Sequence, residues 1–316
     1  VAVAVGAALI AVGTAEARAQ GDVATEGALF LLLPVGARAV GMGHAVVAER
    51  SGSESVWWNP SGLARLESYE VAIHHSQNLI ATGDAVSIVL PFPILGVFAI
   101  SANVLNFGEQ ELNDGTGPTG SLLPRSFVYA ATYATPIGDR LGAGITYKVV
   151  QLRFDCTGAC PPNARIAATT SALDLGVQYD LHPMSPVTVG FAIRNLGLRV
   201  QVNDSEQSDP LPTRLQFGVS YRLPELDQVK DTEVRVSGDL VDKLRIENPS
   251  GRVGVELAYQ KRYFFRTGYV LEEGGGPAIG AGFGAGGLFV DISRVMGGLY
   301  AEAGEAPVHV SLRYLF

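Results

Sequence analysis

Apolar residues recur at every second position over most of the chain. Leu173, Leu175, Val177 and Tyr179 alternate with Asp174, Gly176, Gln178 and Asp180. Val187, Val189, Phe191 and Ile193 alternate with Thr188, Gly190, Ala192 and Arg194. The same period carries Leu215, Phe217, Val219 and Tyr221, then Val234, Val236 and Leu240, then Val253, Val255, Leu257 and Tyr259. A period of two turns one face of a sheet apolar and the other polar. It predicts strands near 68–79, 83–91, 94–107, 122–135, 140–154, 166–180, 186–196, 212–222, 231–242, 251–260, 262–271, 276–285, 287–296 and 305–316. That is roughly 14 strands, an even number, as single-chain bacterial outer-membrane barrels have.

Two architectures use such strands. In a soluble sandwich the apolar face is the core; in a membrane barrel it faces lipid and the polar face lines the lumen. Loop lengths separate them. The even-numbered connections are mostly short (PFPIL, PIGDR, HPMSP, KR, AGG), with LPELDQVKDT the exception. The odd-numbered ones include long polar loops at 108–121, 154–165 and 196–211. Short periplasmic turns and long outer loops are the barrel asymmetry, and a sandwich has no reason to sort loops by parity. Tyr133, Tyr179, Tyr221, Tyr259 and Tyr314 fall on the apolar face near the same end of their strands, where amphipathic rings sit at a headgroup boundary. The expected fold is an all-β transmembrane antiparallel barrel. Its lumen receives Lys148, Asp174, Arg194, Arg214, Glu233, Arg235, Asp239, Arg252, Glu256, Arg266, Asp291 and Arg313. Mixed charges there are expected to pair with one another or with a plug, because an unpaired buried charge is costly.

Composition agrees. Charged residues are 17% of 316, against about 25% for an average soluble domain. Glycine numbers 38, and 47% of residues are hydrophobic. This is too apolar for a disordered chain. The net charge of −8, with no basic cluster, argues against nucleic acid as a partner. Repeated long apolar runs of a helical membrane bundle are missing.

The ends carry addresses. Residues 1–13 are uninterruptedly apolar and Ala17-Arg18-Ala19 follows, which reads as a secretory signal peptide over 1–19 rather than an anchor. Export puts Cys156 and Cys160 in an oxidising compartment, where a local disulfide is expected. At the other end Val308, Val310, Leu312, Tyr314 and Phe316 share one strand face. This resembles the C-terminal signal by which bacterial outer-membrane barrels are recognised for insertion. Outer-membrane lipid and the barrel-assembly machinery are therefore expected partners, with both termini periplasmic.

Residues 20–66 do not alternate. Gly36-Ala37-Arg38-Ala39-Val40-Gly41-Met42-Gly43-His44-Ala45 is followed by Trp58-Asn59-Pro60-Ser61-Gly62-Leu63-Ala64. These motifs resemble the PorV/PorQ-type outer-membrane proteins, within the FadL-like barrel group. The usual pattern has Gly at His44 and Ala at Ser61. The family often carries acidic residues before the Asn-Pro motif, where this chain has Glu49, Arg50 and Glu54. The resemblance implies a 14-stranded barrel over 67–316 with residues 20–66 folded inward as a hatch. Gly36, Arg38, Gly41, Met42, Gly43, Trp58, Asn59, Pro60 and Gly62 would be hatch residues.

The resemblance also implies a function of interaction: a type IX secretion component that binds cargo C-terminal domains and passes them on. The alternative is FadL-like passage of hydrophobic small molecules across the outer membrane. Catalysis has little support. His74 and His75 are adjacent on a strand and point to opposite faces. No HExxH or GxSxG motif occurs, and Gly274-Gly275-Gly276 and GAGFGAGG (280–287) lack the Lys-Ser/Thr of a phosphate loop. No cofactor, metal site or enzymatic activity is expected.

Overall fold

A computed structural model describes residues 26–115, 117–160, 167–182, 186–201, 208–224, 231–244, 246–272, 274–297 and 307–316. The expected signal peptide and residues 20–25 lie outside the described residues, as do 161–166 and 202–207 of the long loops.

The alternating segments form strands β1 (Glu70–Gln77), β2 (Thr82–Phe92), β3 (Gly96–Asn106), β4 (Gln110–Asn113), β5 (Pro118–Ile137), β6 (Leu141–Gly158), β7 (Ala167–Asp180), β8 (Val187–Gly197), β9 (Val200–Gln201), β10 (Ser208–Asp209), β11 (Arg214–Arg222), β12 (Thr232–Lys243), β13 (Ser250–Tyr259), β14 (Tyr263–Leu271), β15 (Pro277–Ala285), β16 (Leu288–Val295) and β17 (Val308–Leu315). Each long strand pairs antiparallel with its neighbours. Pairing of β1 with β17 sets Ile73 opposite Leu312, and β3 pairs with β5 to complete the circuit. The result is a closed 14-stranded barrel. Closure leaves no strand edge unpaired, which hydrocarbon requires of any sheet within it.

The three remaining strands are local. Segment 108–121, expected as a loop, contains β4 folded back on the start of β5. Strands β5 and β6 run past their expected ends, so that Leu122 pairs with Cys156. The added residues at this end, Pro118–Ser121 and Asp155–Gly158, are mostly small or polar, so apolar alternation did not mark them as strand. A two-residue ribbon of β9 and β10 lies within 196–211.

The apolar positions face outward. Val253, Leu257, Leu312 and Tyr314 are 46%, 36%, 42% and 48% exposed, where a sandwich would bury them. Aromatic rings gather at the short-turn end, each on its neighbour: Phe98 on Tyr133 at 5.0 Å, Tyr263 on Phe283 at 5.4 Å, Tyr69 on Phe316 at 5.6 Å and Tyr314 on Phe316 at 5.7 Å. Val310, Leu312, Tyr314 and Phe316 belong to this outer surface, while His309 and Ser311 between them are buried inward. Among the described residues no helix is long and apolar enough to cross a membrane, which says nothing of strands.

Residues 26–66 fill the barrel as a plug. Its only regular pieces are the short helices α1 (Ala37–Gly41) and α2 (Ser55–Trp58) and single 3-10 turns at Leu29–Leu32, Gly52–Glu54 and Pro60–Leu63. The plug has two faces. Its apolar side chains Met42, Val46, Val56, Trp57 and Leu63 join a core with inward Ala85, Val89, Ala99, Val128 and Val150 of β2, β3, β5 and β6. Burying each larger one contributes about 1.5–3 kcal/mol. The opposite face meets the charged inner surface of β12–β17.

Candidate functional site

The plug is held from its backbone outward. Gly36 has φ +99°, and a Cβ there would lie 2.2 Å from Cδ of Glu54. With only hydrogen in that place, the Glu54 carboxylate reaches the start of α1. It accepts the backbone N–H groups of Arg38 at 3.2 Å and Ala39 at 3.0 Å. One turn on, Gly43 passes so close to the wall that a Cβ on Gly268 of β14 would sit 2.2 Å from its nitrogen. Gly41 lies likewise against Gly280, and Met42 between them is fully buried.

Arg38 projects from α1 into the charged wall. Its Nε and Nη2 donate to the two carboxylate oxygens of Glu256 at 2.9 and 3.0 Å, and Nη2 also donates to Glu49 at 3.2 Å. Burial opposes its charge. The carboxylates of Glu256 and Glu49 outweigh that, so the guanidinium holds its proton more tightly than usual. From Glu256 the charges continue through Arg266 at 2.5 Å, Asp291 at 2.6 Å and Arg313 at 3.2 Å, and Arg313 faces Glu70 at 3.9 Å. Glu70 accepts the Ser53 hydroxyl at 2.5 Å. The circuit thus leaves the plug at Arg38, crosses β13, β14, β16, β17 and β1, and returns to the plug at Ser53. Each buried charge along it has an opposite neighbour, as a dry lumen demands.

The Asn-Pro motif secures the middle. Asn59 Nδ2 donates to Val47 O at 2.7 Å, and its Oδ1 accepts the Ser61 hydroxyl at 2.7 Å. Pro60 begins the 3-10 turn Pro60–Leu63 and packs on Gly144 of the wall. Gly62 passes the Ser55 hydroxyl. Trp58 Nε1 donates to Val35 O at 2.9 Å, so the two motifs meet. Asp239 of β12 accepts the N–H groups of Val46 and Val47 at 2.8 and 3.0 Å, and Gln178 of β7 donates to Val47 O and Glu49 O. At the start of the described chain, Glu26 takes a two-pronged contact from Arg214 at 2.7 and 2.8 Å. That hydrogen bond holds its carboxyl below the usual range.

Cavities adjoin the plug, and two of them hold hundreds of Å³. The larger, about 980 Å³, lies toward the long-loop end between Leu32–Pro34, His44 and Trp58 of the plug and the walls of β8 and β11–β14. The smaller, about 410 Å³, lies toward the short turns against Ala48, Glu49 and Arg235. The stretch from His44 to Glu49 runs from one to the other. His44 stacks on Trp58 at 5.4 Å, and burial keeps its ring neutral, well below the usual histidine range.

No family model matches the chain, and no curated protein matches it by sequence. Solved structures do match. The monoaromatic hydrocarbon channel CymD aligns with a TM-score of 0.60 at 12% identity, covering 92% of this chain and 99% of that one. The toluene transporter TbuX of Ralstonia pickettii gives 0.56 at 12% identity, covering 89% and 98%. The protein has a FadL-like fold. A Pseudomonas aeruginosa FadL homologue aligns at 0.50 and 9% identity, covering 89% and 98%. A FadL-like fold accounts for the plugged 14-stranded barrel.

Among the sequence-derived residues, the structure brings Gly36, Arg38, Gly41, Met42, Gly43, Trp58, Asn59, Pro60 and Gly62 into this one plug. Cys156 and Cys160 form a disulfide at the far tip of β6, Cα to Cα 6.0 Å, well away from it. His74 turns inward to the Ser311 hydroxyl at 2.8 Å and His75 outward to Asp84 at 2.7 Å. Sequence reasoning missed Glu26, Glu70 and Asn195. Asn195 breaks the alternation: it follows the inward Arg194 and is itself fully buried. Two consecutive polar residues in an alternating strand were the available signal.

Proposed function

We propose that the protein passes hydrophobic small molecules across the bacterial outer membrane. The observation that carries this reading is the pairing of a plugged barrel with a cavity of about 980 Å³ on one side of the plug, a volume suited to a small ligand. The likeness to TbuX, described as a toluene transporter, and CymD, described as a monoaromatic hydrocarbon channel, supports it. The short-turn end and both termini are periplasmic in this proposal, the long loops face outward, and the barrel-assembly machinery inserts the chain. It acts without catalysis or cofactor. Reconstituted liposomes loaded with a solvatochromic dye test it: toluene should arrive faster in liposomes carrying the protein than in empty ones. Equal rates would reject the reading.

The PorV/PorQ motifs favour a second reading, a type IX secretion factor binding cargo C-terminal domains. Its residues Arg38, Asn59 and Pro60 anchor the plug and do not reach the outer loops, so their work is accounted for by docking. A pull-down with isolated cargo C-terminal domains tests this role, and retention on the purified barrel would favour it over transport.

A further inference from the structure

A third cavity lies between the plug and the wall of β3, β5, β6 and β8. It measures about 20 Å³, room for one occupant little larger than a water molecule. Phe30 and Val128 belong to its apolar lining, and its polar lining is Trp57, Asn103, Lys148 and Arg194. Both ionisable residues of that lining are cations. Two of its N–H donors are idle: among the described residues, the Nε1 of Trp57 and the Nε of Arg194 are buried without a partner. Trp57 is only 4% and Arg194 only 6% exposed, and unmet donors at such depth are costly.

The local backbone sets this arrangement. The β7–β8 register shifts between Leu173 and Leu175, so that Arg194 and Asn195 together stand opposite Asp174. Asn195 has φ 57°. This is a bulge, and bulges re-aim side chains. Arg194 and Asn195 are consecutive and both buried. Asp174 accepts the Asn195 N–H at 2.7 Å and pairs with Lys148 at 2.5 Å. Lys148 also donates to the Asn195 amide oxygen at 3.0 Å, which leaves one of its three N–H groups over. Asp174 attracts Arg194 as well. One carboxylate thus serves two buried cations, and the cavity beside them carries an excess of positive charge, which a dry lumen penalises.

A water molecule in this cavity would accept from the idle donors and leave the charge uncompensated. A carboxylate or phosphate would compensate the charge and exceeds the volume. A single-atom acceptor bearing one negative charge meets both conditions. We propose that this cavity is a halide site for chloride, the ion held by Trp57 Nε1, Arg194 and Lys148 and bounded by Asn103. Trp57 belongs to the plug, and Asn103, Lys148 and Arg194 belong to β3, β6 and β8, so the ion fastens plug to wall. The site does not depend on what the barrel passes.

Chloride NMR line broadening on the full chain in detergent tests it. The broadening should saturate, and bromide should displace it while gluconate, too large for the cavity, should not. The thermal midpoint, read by heat-modifiable gel migration, should be higher in chloride than in gluconate at equal ionic strength. Trp57→Phe keeps an aromatic ring and removes the N–H, and should weaken chloride about ten- to hundredfold. Asn103→Asp puts a fixed negative charge in the cavity. It should abolish the saturable broadening and raise the midpoint in gluconate to that of the unaltered protein in chloride, a rescue that packing alone would not give. If Trp57→Phe fails to fold, Asn103→Asp carries the test. Broadening that does not saturate, with equal midpoints in the two salts, would show a cavity holding water only and overturn the site. Chloride affinity unchanged in both variants would place the ion elsewhere and overturn the assignment.

Discussion

Arg38 in the plug and Glu256 on β13 form a two-pronged buried ion pair across 218 positions of sequence, at 2.9 and 3.0 Å. Glu256 is shared with Arg266, so the pair joins the plug to the charge circuit of the wall. Removing one partner leaves the other buried and uncompensated, which costs about 3–5 kcal/mol. Arg38→Ala should therefore loosen the plug while the 14-stranded wall remains. Planar-bilayer recordings should show larger or more frequent conductance steps than the unaltered protein. An unchanged conductance record would mean that the apolar face of the plug holds it alone.

Gly268 tests the close approach directly. A methyl group there would stand 2.2 Å from the Gly43 nitrogen, in backbone that has no room to yield. Gly268→Ala should destabilise plug docking by about 1–3 kcal/mol, as overpacking does. Gly238→Ala is the control, because its nearest atom is the Arg252 carbonyl oxygen at 3.8 Å. Limited proteolysis of the N-terminal segment should accelerate in the first variant and not in the second.

The Glu26–Arg214 contact makes the start of the plug sensitive to acid. The Glu26 carboxyl is held below its ordinary value by the Arg214 hydrogen bond. A depressed carboxyl stabilises the folded form above its unfolded value, near 4.5, and that contribution is lost as pH falls through the folded value. A spin label at the exposed Leu29 should become more mobile as pH falls below that unfolded value. Glu26→Gln should show the mobile spectrum at neutral pH as well.

The disulfide closes only a short loop at the tip of β6, remote from plug and cavity. A cross-link of this span contributes about 2 kcal/mol in the chain-entropy model, all of it local. Replacing Cys156 and Cys160 by serine should leave the heat-modifiable barrel and ligand binding unchanged. Protease cleavage near the β6 tip should rise. Loss of the folded band on a gel would show instead that the loop matters to assembly.

The strand set was legible because alternation is a local property. Each strand announces its own two faces, so the outward exposure of Val253 and Leu312 and the inward burial of Asp239 and Glu256 follow from residue parity. The plug was legible as the stretch where parity fails and glycine-rich motifs begin. Arg38, Asn59 and Pro60 could be singled out there, but their partners could not. The bulge at Asn195 escaped because parity assumes an unbroken register.

By itself, then, the order of residues determined that this chain makes a barrel with a greasy exterior and a charged interior; that residues 20–66 fold inward was implied by the resemblance of the glycine-rich and Asn-Pro motifs. Tertiary structure alone decided which charge meets which. Arg38 finds Glu256, and Asp174 is claimed by Lys148 and the Asn195 backbone, because closure of the sheet and the path of the plug set those distances. Chain separation carries no information about them.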